Sequence, residues 1–227
     1  MSSEQEKVDF DAYADDYESL LQDQLAFFSN DRGYFSNHKA AIAATLFEDQ
    51  PRRILDFGCG IGLSLPYLHK YFPQSELVAT DVSEKSLDHV RRTHTFATVL
   101  NDREIDGEIF DLIFIAGVFH HIAPSDRSAV IQRLERMLSD NGKLCIFDHN
   151  PYNPVTQRMV STCPFDDDAV LLTRQEMCGL LNRQSGLSVR TKNYCLFFPE
   201  PLKALTPLER LLGWLPLGGQ YYVVAGR

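Results

Sequence analysis

Residues 54–62 read ILDFGCGIG, an apolar run interrupted by one aspartate and followed by glycine at every second position. The first part has the composition of a buried strand; the second cannot continue any regular element. Glycines placed directly after such a strand mark a sharp backbone turn, or a point where another group comes close to the chain. What comes close is decided by the residues on either side.

Working outward, RRILDFG (52–58) enters the turn as a strand and LSLPYLHKYF (63–72) leaves it as an amphipathic helix. SELVATD (75–81) is a second strand, EKSLDHVRRTH (84–94) a helix, and FATVL (96–100) a third strand. FDLIFIAGVF (110–119) is a fourth, PSDRSAVIQRLERMLSD (124–140) a helix with Pro124 near its start, and GKLCIFDH (142–149) a fifth strand. Apolar strands alternating with helices predict a parallel sheet covered on both faces. Right-handed crossovers make it a doubly wound, Rossmann-like α/β sheet.

After His149 the alternation breaks. Residues 150–173 contain three prolines and three consecutive aspartates, and read as a long irregular loop of the kind that carries function. RQEMCGLLNRQSG (174–186) resumes a helix, with Thr173 as its cap and Gly186 after it. LSVRTKNYCLFF (187–198) and QYYVVAGR (220–227) then close the sheet as an antiparallel pair, giving seven strands. Between them, Pro199–Gly219 carries the single tryptophan, Trp214, and is expected either to wall an apolar pocket or to make a dimer contact. The expected organisation is one domain, 1–227: a helical cap over 1–48, a ligand-binding core over 49–150, and an acceptor-side segment over 151–227.

Composition removes several function classes. The formal net charge is −9, and Arg52-Arg53 and Arg91-Arg92 read as solvated element ends, so nucleic acid is not an expected partner. The five cysteines show no CxxC spacing, which gives neither a disulfide framework nor a zinc signature. No apolar run is long enough to span a bilayer, and the acidic, polar stretch 1–18 fits neither a secretory nor a transit peptide, so a cytoplasmic location is expected. His120-His121 has no further metal ligand close by in the chain, and no metal is expected.

Two ligand classes suit the glycine turn. A dinucleotide needs G-x-G-x-x-G, but residue 63 is leucine. The chain has no G-x-x-x-x-G-K-[ST], so no phosphate-cradling loop of that type is present. The turn instead resembles the first motif of class I S-adenosylmethionine (SAM)-dependent methyltransferases, of the small-molecule, type 11/12-like kind. Asp56 precedes Gly58, Gly60 and Gly62; Asp81 ends the second strand; Asn101-Asp102 follows the third; and FDLIFIAGVFHHI (110–122) forms the fourth strand and its loop.

That resemblance implies SAM as cofactor and methyl transfer to a small molecule, through an oxygen or nitrogen acceptor. It implies cofactor contacts from Tyr17, Asp56, Gly58, Cys59, Gly60, Gly62, Asp81, Val82, Asn101, Asp102 and Ala116. Asp81 can accept both ribose hydroxyl hydrogens, with Ser83 left to cap the following helix. Asp102 would accept from the adenine amino group, and Asp56 would support the loop or reach the ligand ammonium through water. Tyr13 and Tyr17 lie one helical turn apart, in the position of a cap over the cofactor. A hydroxyl acceptor benefits from a general base; His120, His121 and His149 are the catalytic candidates, beside Asp148. Other readings stand next to this one: a SAM-binding enzyme of different chemistry, an NAD-type oxidoreductase, a non-catalytic binding protein, and a protein methylating enzyme using Asp166–Asp168 as an acidic groove.

Overall fold

Alternate residues of one strand must bury on opposite faces if a sheet is covered on both sides, and the central strands here do so. In a computed structural model that describes residues 33–184 and 186–227, Ile54 packs to one side and Leu55 to the other. Leu112 and Phe114 likewise face away from Ile113 and Ile115. Among the described residues, seven strands form one sheet: β1 Arg53–Phe57, β2 Glu76–Thr80, β3 Ala97–Val99, β4 Phe110–Ala116, β5 Leu138–His149, β6 Ser188–Cys195 and β7 Gln220–Gly226. Their order is β3-β2-β1-β4-β5-β7-β6. The first five run parallel, and β7 lies antiparallel between β5 and β6. The expected fold class, five parallel strands with an antiparallel carboxyl-terminal pair, is the observed one.

The described helices are α1 Tyr34–Ala44, α2 Leu65–Tyr71, α3 Glu84–Thr93, α4 Arg127–Arg136, α5 Pro154–Thr162, α6 Arg174–Gln184 and the single turn α7 Glu209–Leu212. Ala40 and Ala43 of α1, Leu68 of α2 and Phe72 just after it cover one face, with Cys145 fully buried there as a small apolar residue. Ile131, Leu134, Met177 and Leu181 from α4 and α6 cover the other. Strand order reverses between β1 and β4, and the crevice outside the carboxyl ends of those strands is where such sheets bind ligands. The glycine turn follows β1 and the double histidine follows β4, so both open onto that crevice.

Two local expectations are corrected. Residues 138–140 belong to β5, not to the preceding helix. Leu138 pairs with Phe110 before a register shift, and Phe110 N donates to Met137 O, so the sheet ladder captures the segment just past the helix. The supposed loop 150–173 contains α5. Asn153 Oδ1 accepts from the amides of Val155 and Thr156, and Pro154 occupies the first turn, where its missing N–H costs nothing. Thr173 caps α6 as expected: its hydroxyl accepts from Glu176 N while the Glu176 carboxylate accepts from Thr173 N. Tyr13 and Tyr17 lie outside the described residues, as does most of the expected cap.

Candidate active site

The glycine turn is held by its backbone. Gly58, Gly60 and Gly62 have φ of 70°, 52° and 84°, values that a side chain disfavours. The amides of Gly58 and Cys59 both donate to Thr80 O, which fastens the turn to β2. Gly60 N donates to Asp81 Oδ2 at 2.8 Å and Ser83 N donates to Asp81 Oδ1 at 2.9 Å. Asp81 is thereby fixed just after β2, with each carboxylate oxygen accepting from a backbone amide. Ser83 Oγ caps α3 by accepting from Ser86 N, so the aspartate is not used as the cap.

Gly58, Cys59, Gly60, Thr80 and Asp81 line one end of a cavity of about 850 Å³. Asp56 also faces it, 3% exposed, with its Oδ2 lacking a hydrogen-bond partner. Burial, reinforced by the charge of Asp81, pushes its carboxyl up to about 7, against the opposing charge of Lys39. Lys39, from α1, lines the same cavity, and its burial lowers its own pKa. Two carboxylates at one end of a low-dielectric space favour a cationic ligand group.

Of the expected cofactor contacts, Asp56, Gly58, Cys59, Gly60, Asp81, Val82, Asp102 and Ala116 line this cavity. Asp102 reaches it while ion-paired with Arg133 Nη1 at 2.6 Å. Two residues are placed elsewhere. Gly62 abuts His94, whose Cδ2 lies 2.6 Å from where a Cβ would stand, so this glycine serves packing. Asn101 Oδ1 accepts from the amides of Arg103 and Glu104 and shapes its own turn. Tyr17 lies outside the described residues.

The other end is built from side chains. His120 and His121 sit in a 3-10 turn just after β4, and that turn is anchored by Val170 N donating to His120 O at 2.7 Å. Arg127 donates to Ile122 O and Val170 O, binding the same two segments together. His120 Nδ1 lies 2.5 Å from Asp148 Oδ1, and both are almost fully buried. His121 Nδ1 lies 3.1 Å from Asp168 Oδ1. The Nε2 atoms of His120 and His121 stand 3.5 and 3.3 Å from one oxygen of Asp166. The His149 ring lies 4.6 Å from that of His120.

Burial alone would lower the pKa of His120, but Asp148 and Asp166 raise it to about 9. Burial would likewise raise Asp166, yet the two histidines hold its carboxyl well below the usual carboxylate range. His149, buried and beside His120, is pushed down to about 4 and is neutral at neutral pH.

The structure therefore brings all three candidate histidines to one cavity. It overturns the reading of 166–168 as an acidic groove for a basic peptide: Asp166 and Asp168 turn inward onto the histidines, with only 9% and 8% of their side chains exposed. It also supplies the pair with a third ligand atom, from a residue distant in sequence, where sequence spacing had offered none. Trp214 is 71% exposed and does not line the cavity; Leu196, Phe197, Pro199 and Leu217 form that wall instead. Lys39 has no sequence signal as a site residue, and no spacing rule joins Asp166 and Asp168 to the histidines they face.

Residues 55–144 match a family model described as a methyltransferase domain. The chain is 28% identical over 148 residues to the malonyl-[acyl-carrier protein] O-methyltransferase of Legionella pneumophila, covering 60% of this chain and 46% of that one. It is 32% identical over 123 residues to ribosomal RNA small subunit methyltransferase C of Stutzerimonas stutzeri, covering 49% and 37%. The alignments span less than half the length of the curated relatives they match. A TehB-like SAM-dependent methyltransferase from Corynebacterium glutamicum superposes over 95% of this chain and 98% of its own, with a TM-score of 0.66 and 18% identity.

Proposed function

We propose that this chain, which carries a SAM-dependent methyltransferase domain of the class I fold, transfers a methyl group from SAM to a small molecule through an oxygen or nitrogen atom. The observation that carries the reading is the unpartnered Oδ2 of Asp56 facing the cavity beside Asp81. SAM bears an ammonium and a sulfonium, and a cationic group placed there would satisfy a buried carboxylate that otherwise holds a proton. Asp81 would take the ribose hydroxyls, and Val82, Ala116 and Asp102 would surround the base. The turn would present backbone to the cofactor at Gly60, where a Cβ would meet no atom within 4 Å.

The cavity volume falls within the roughly 300–1,000 Å³ of small-molecule sites. A net charge of −9 opposes a phosphate-rich acceptor, so the acceptor of the ribosomal RNA relative is not carried over. In the transfer, a lone pair of the acceptor attacks the methyl carbon in line, and the sulfonium sulfur departs with the bonding pair as a neutral thioether. The activated carbon asks mainly for alignment and exclusion of water, which the apolar wall of Leu196, Phe197 and Leu217 supplies. In this reading His120 and His121 would orient the acceptor, and His149, neutral at neutral pH, would receive its proton. Treating 1–227 as a single domain, with 1–48 over the cofactor, belongs to the same proposal.

Calorimetric titration with SAM, its demethylated product and NAD tests the reading. Saturable SAM binding, weakened in Asp81→Ala by about 1–3 kcal/mol as charge-assisted bonds are lost, is the expected result. Binding of NAD without SAM, or of neither, overturns it.

A further inference from the structure

The histidine end of the cavity contains an arrangement that proton transfer alone does not explain. Three electron-rich atoms converge there: His120 Nε2, His121 Nε2 and Asp166 Oδ1, all within 4.8 Å of one another. When an imidazole carries its proton on Nδ1 and donates it, its Nε2 presents a lone pair. Both histidines have a carboxylate at Nδ1, Asp148 for His120 and Asp168 for His121. With Nδ1 so held, the two Nε2 atoms converge on Asp166 Oδ1, where a bound cation would take the place of the protons that otherwise sit between them.

We infer that His120, His121 and Asp166 form a binding site for a divalent transition-metal ion of the zinc class. The 3.5 and 3.3 Å separations of the two Nε2 atoms from Asp166 Oδ1 lie beyond the usual hydrogen-bond range. They match the edge of a tetrahedron with metal–ligand bonds of about 2.0–2.1 Å, which is about 3.3–3.4 Å. A histidine that ligates a metal almost always donates its other ring N–H to a carboxylate or carbonyl, which fixes its tautomer and orientation. Here both histidines have that support, and Asp148 is itself fixed by accepting from His149 N at 2.7 Å. Nitrogen, nitrogen and carboxylate oxygen form a donor set suited to zinc, and to iron or cobalt in the same oxidation state.

Three protein ligands leave a position open, as catalytic sites of this type do. All three ligating residues line the cavity described above, so that position faces the space assigned to the acceptor. The ligand class that would complete the sphere is an oxygen, nitrogen or sulfur donor of the acceptor; this last step rests on the proposed methyl transfer, whereas metal binding does not.

The test uses tag-free full-length protein stripped with a chelator. Zn²⁺ affinity is read by competition with a chromophoric chelator, and Co²⁺ is titrated while its visible absorption is followed. The expected result is one ion per chain, with a tetrahedral Co²⁺ spectrum, and affinity reduced about 100-fold or more in Asp166→Asn, beyond the loss of an orienting carboxylate. A smaller loss is expected in Asp168→Asn, which removes a carboxylate that orients a ligand; that change typically costs 10–100-fold. Protein that binds no ion overturns the inference. So does binding of several ions that survives Asp166→Asn, which would point to histidines elsewhere such as His69 and His89. Thermal melting of each variant reports folding, and a SAM titration on the same samples separates the two readings. Metal binding without SAM binding sinks only the methyl-transfer proposal; SAM binding without metal binding sinks only this one.

Discussion

At one end of the cavity the positioning is done by main chain, and at the other by side chains. The glycine turn spans a few consecutive residues, and its polar contacts are amides given to Thr80 O and to Asp81. The histidine end draws on the turn after β4, the end of β5 and the segment after α5, and its contacts join imidazoles to carboxylates. A backbone-built site tolerates many side chains around it but depends on conformations that only glycine adopts cheaply. A site built from buried charges depends on every partner, because removing one strands another. The two ends should therefore fail in different ways.

The largest loss is expected from His120→Ala. It leaves Asp148 buried and uncompensated, and breaking a buried pair from one side costs about 3–5 kcal/mol. Denaturant unfolding with a chelator present measures it; a loss under about 1 kcal/mol would mean that the histidine end tolerates stranded charge, and would break the contrast. Next in size is Gly58→Ala. Its Cβ would stand 2.5 Å from Val118 Cγ2 at a φ of +70°, so left-handed strain of about 1–2 kcal/mol adds to overpacking of about 1–3 kcal/mol. Gly60→Ala is its control: the same strain at φ +52° with no atom within 4 Å, hence only about 1–2 kcal/mol. Equal losses in the two variants would show that conformation, and not crowding, governs the turn.

The smallest effect per unit change is a pH slope. The Asp56 carboxyl is raised in the folded chain from its ordinary 3.8 to about 7. Between those values the folded state binds the proton and the unfolded state does not. Its contribution to stability is complete below about pH 4 and is lost as pH rises toward 7, at about 1.4 kcal/mol per pH unit. Asp56→Asn should flatten unfolding free energy across that window; an unchanged slope would place the proton elsewhere.

The same contrast explains what could be read from residues alone. The glycine turn, Asp81 and the alternating strands are local patterns, and the parallel half of the sheet followed from them. Ser83 announced itself as a cap for the same reason. The partners of His121 did not, because Asp166 and Asp168 reach it only after α5 folds, and α5 was hidden by prolines that read as breakers. Asn153-Pro154 in fact starts that helix. Residues 138–140 follow the helix with no glycine or proline to mark the boundary, and only the pairing of Leu138 with Phe110 draws them into the sheet. Lys39 gave no signal, since a lysine on a helix is ordinarily solvated and only the packing of α1 buries it.

The insertion of β7 between β5 and β6 has a consequence in time. Among the described residues β6 pairs with β7 alone, so when it leaves the ribosome its partner strand has not yet been made. The strands β3-β2-β1-β4-β5 can already be complete by then, since folding proceeds from the amino end during synthesis. The nascent chain thus holds the glycine end of the cavity with one raw edge on β5, and the wall carrying Leu196, Phe197 and Leu217 arrives last. The order of synthesis builds the glycine end of the cavity before its apolar wall.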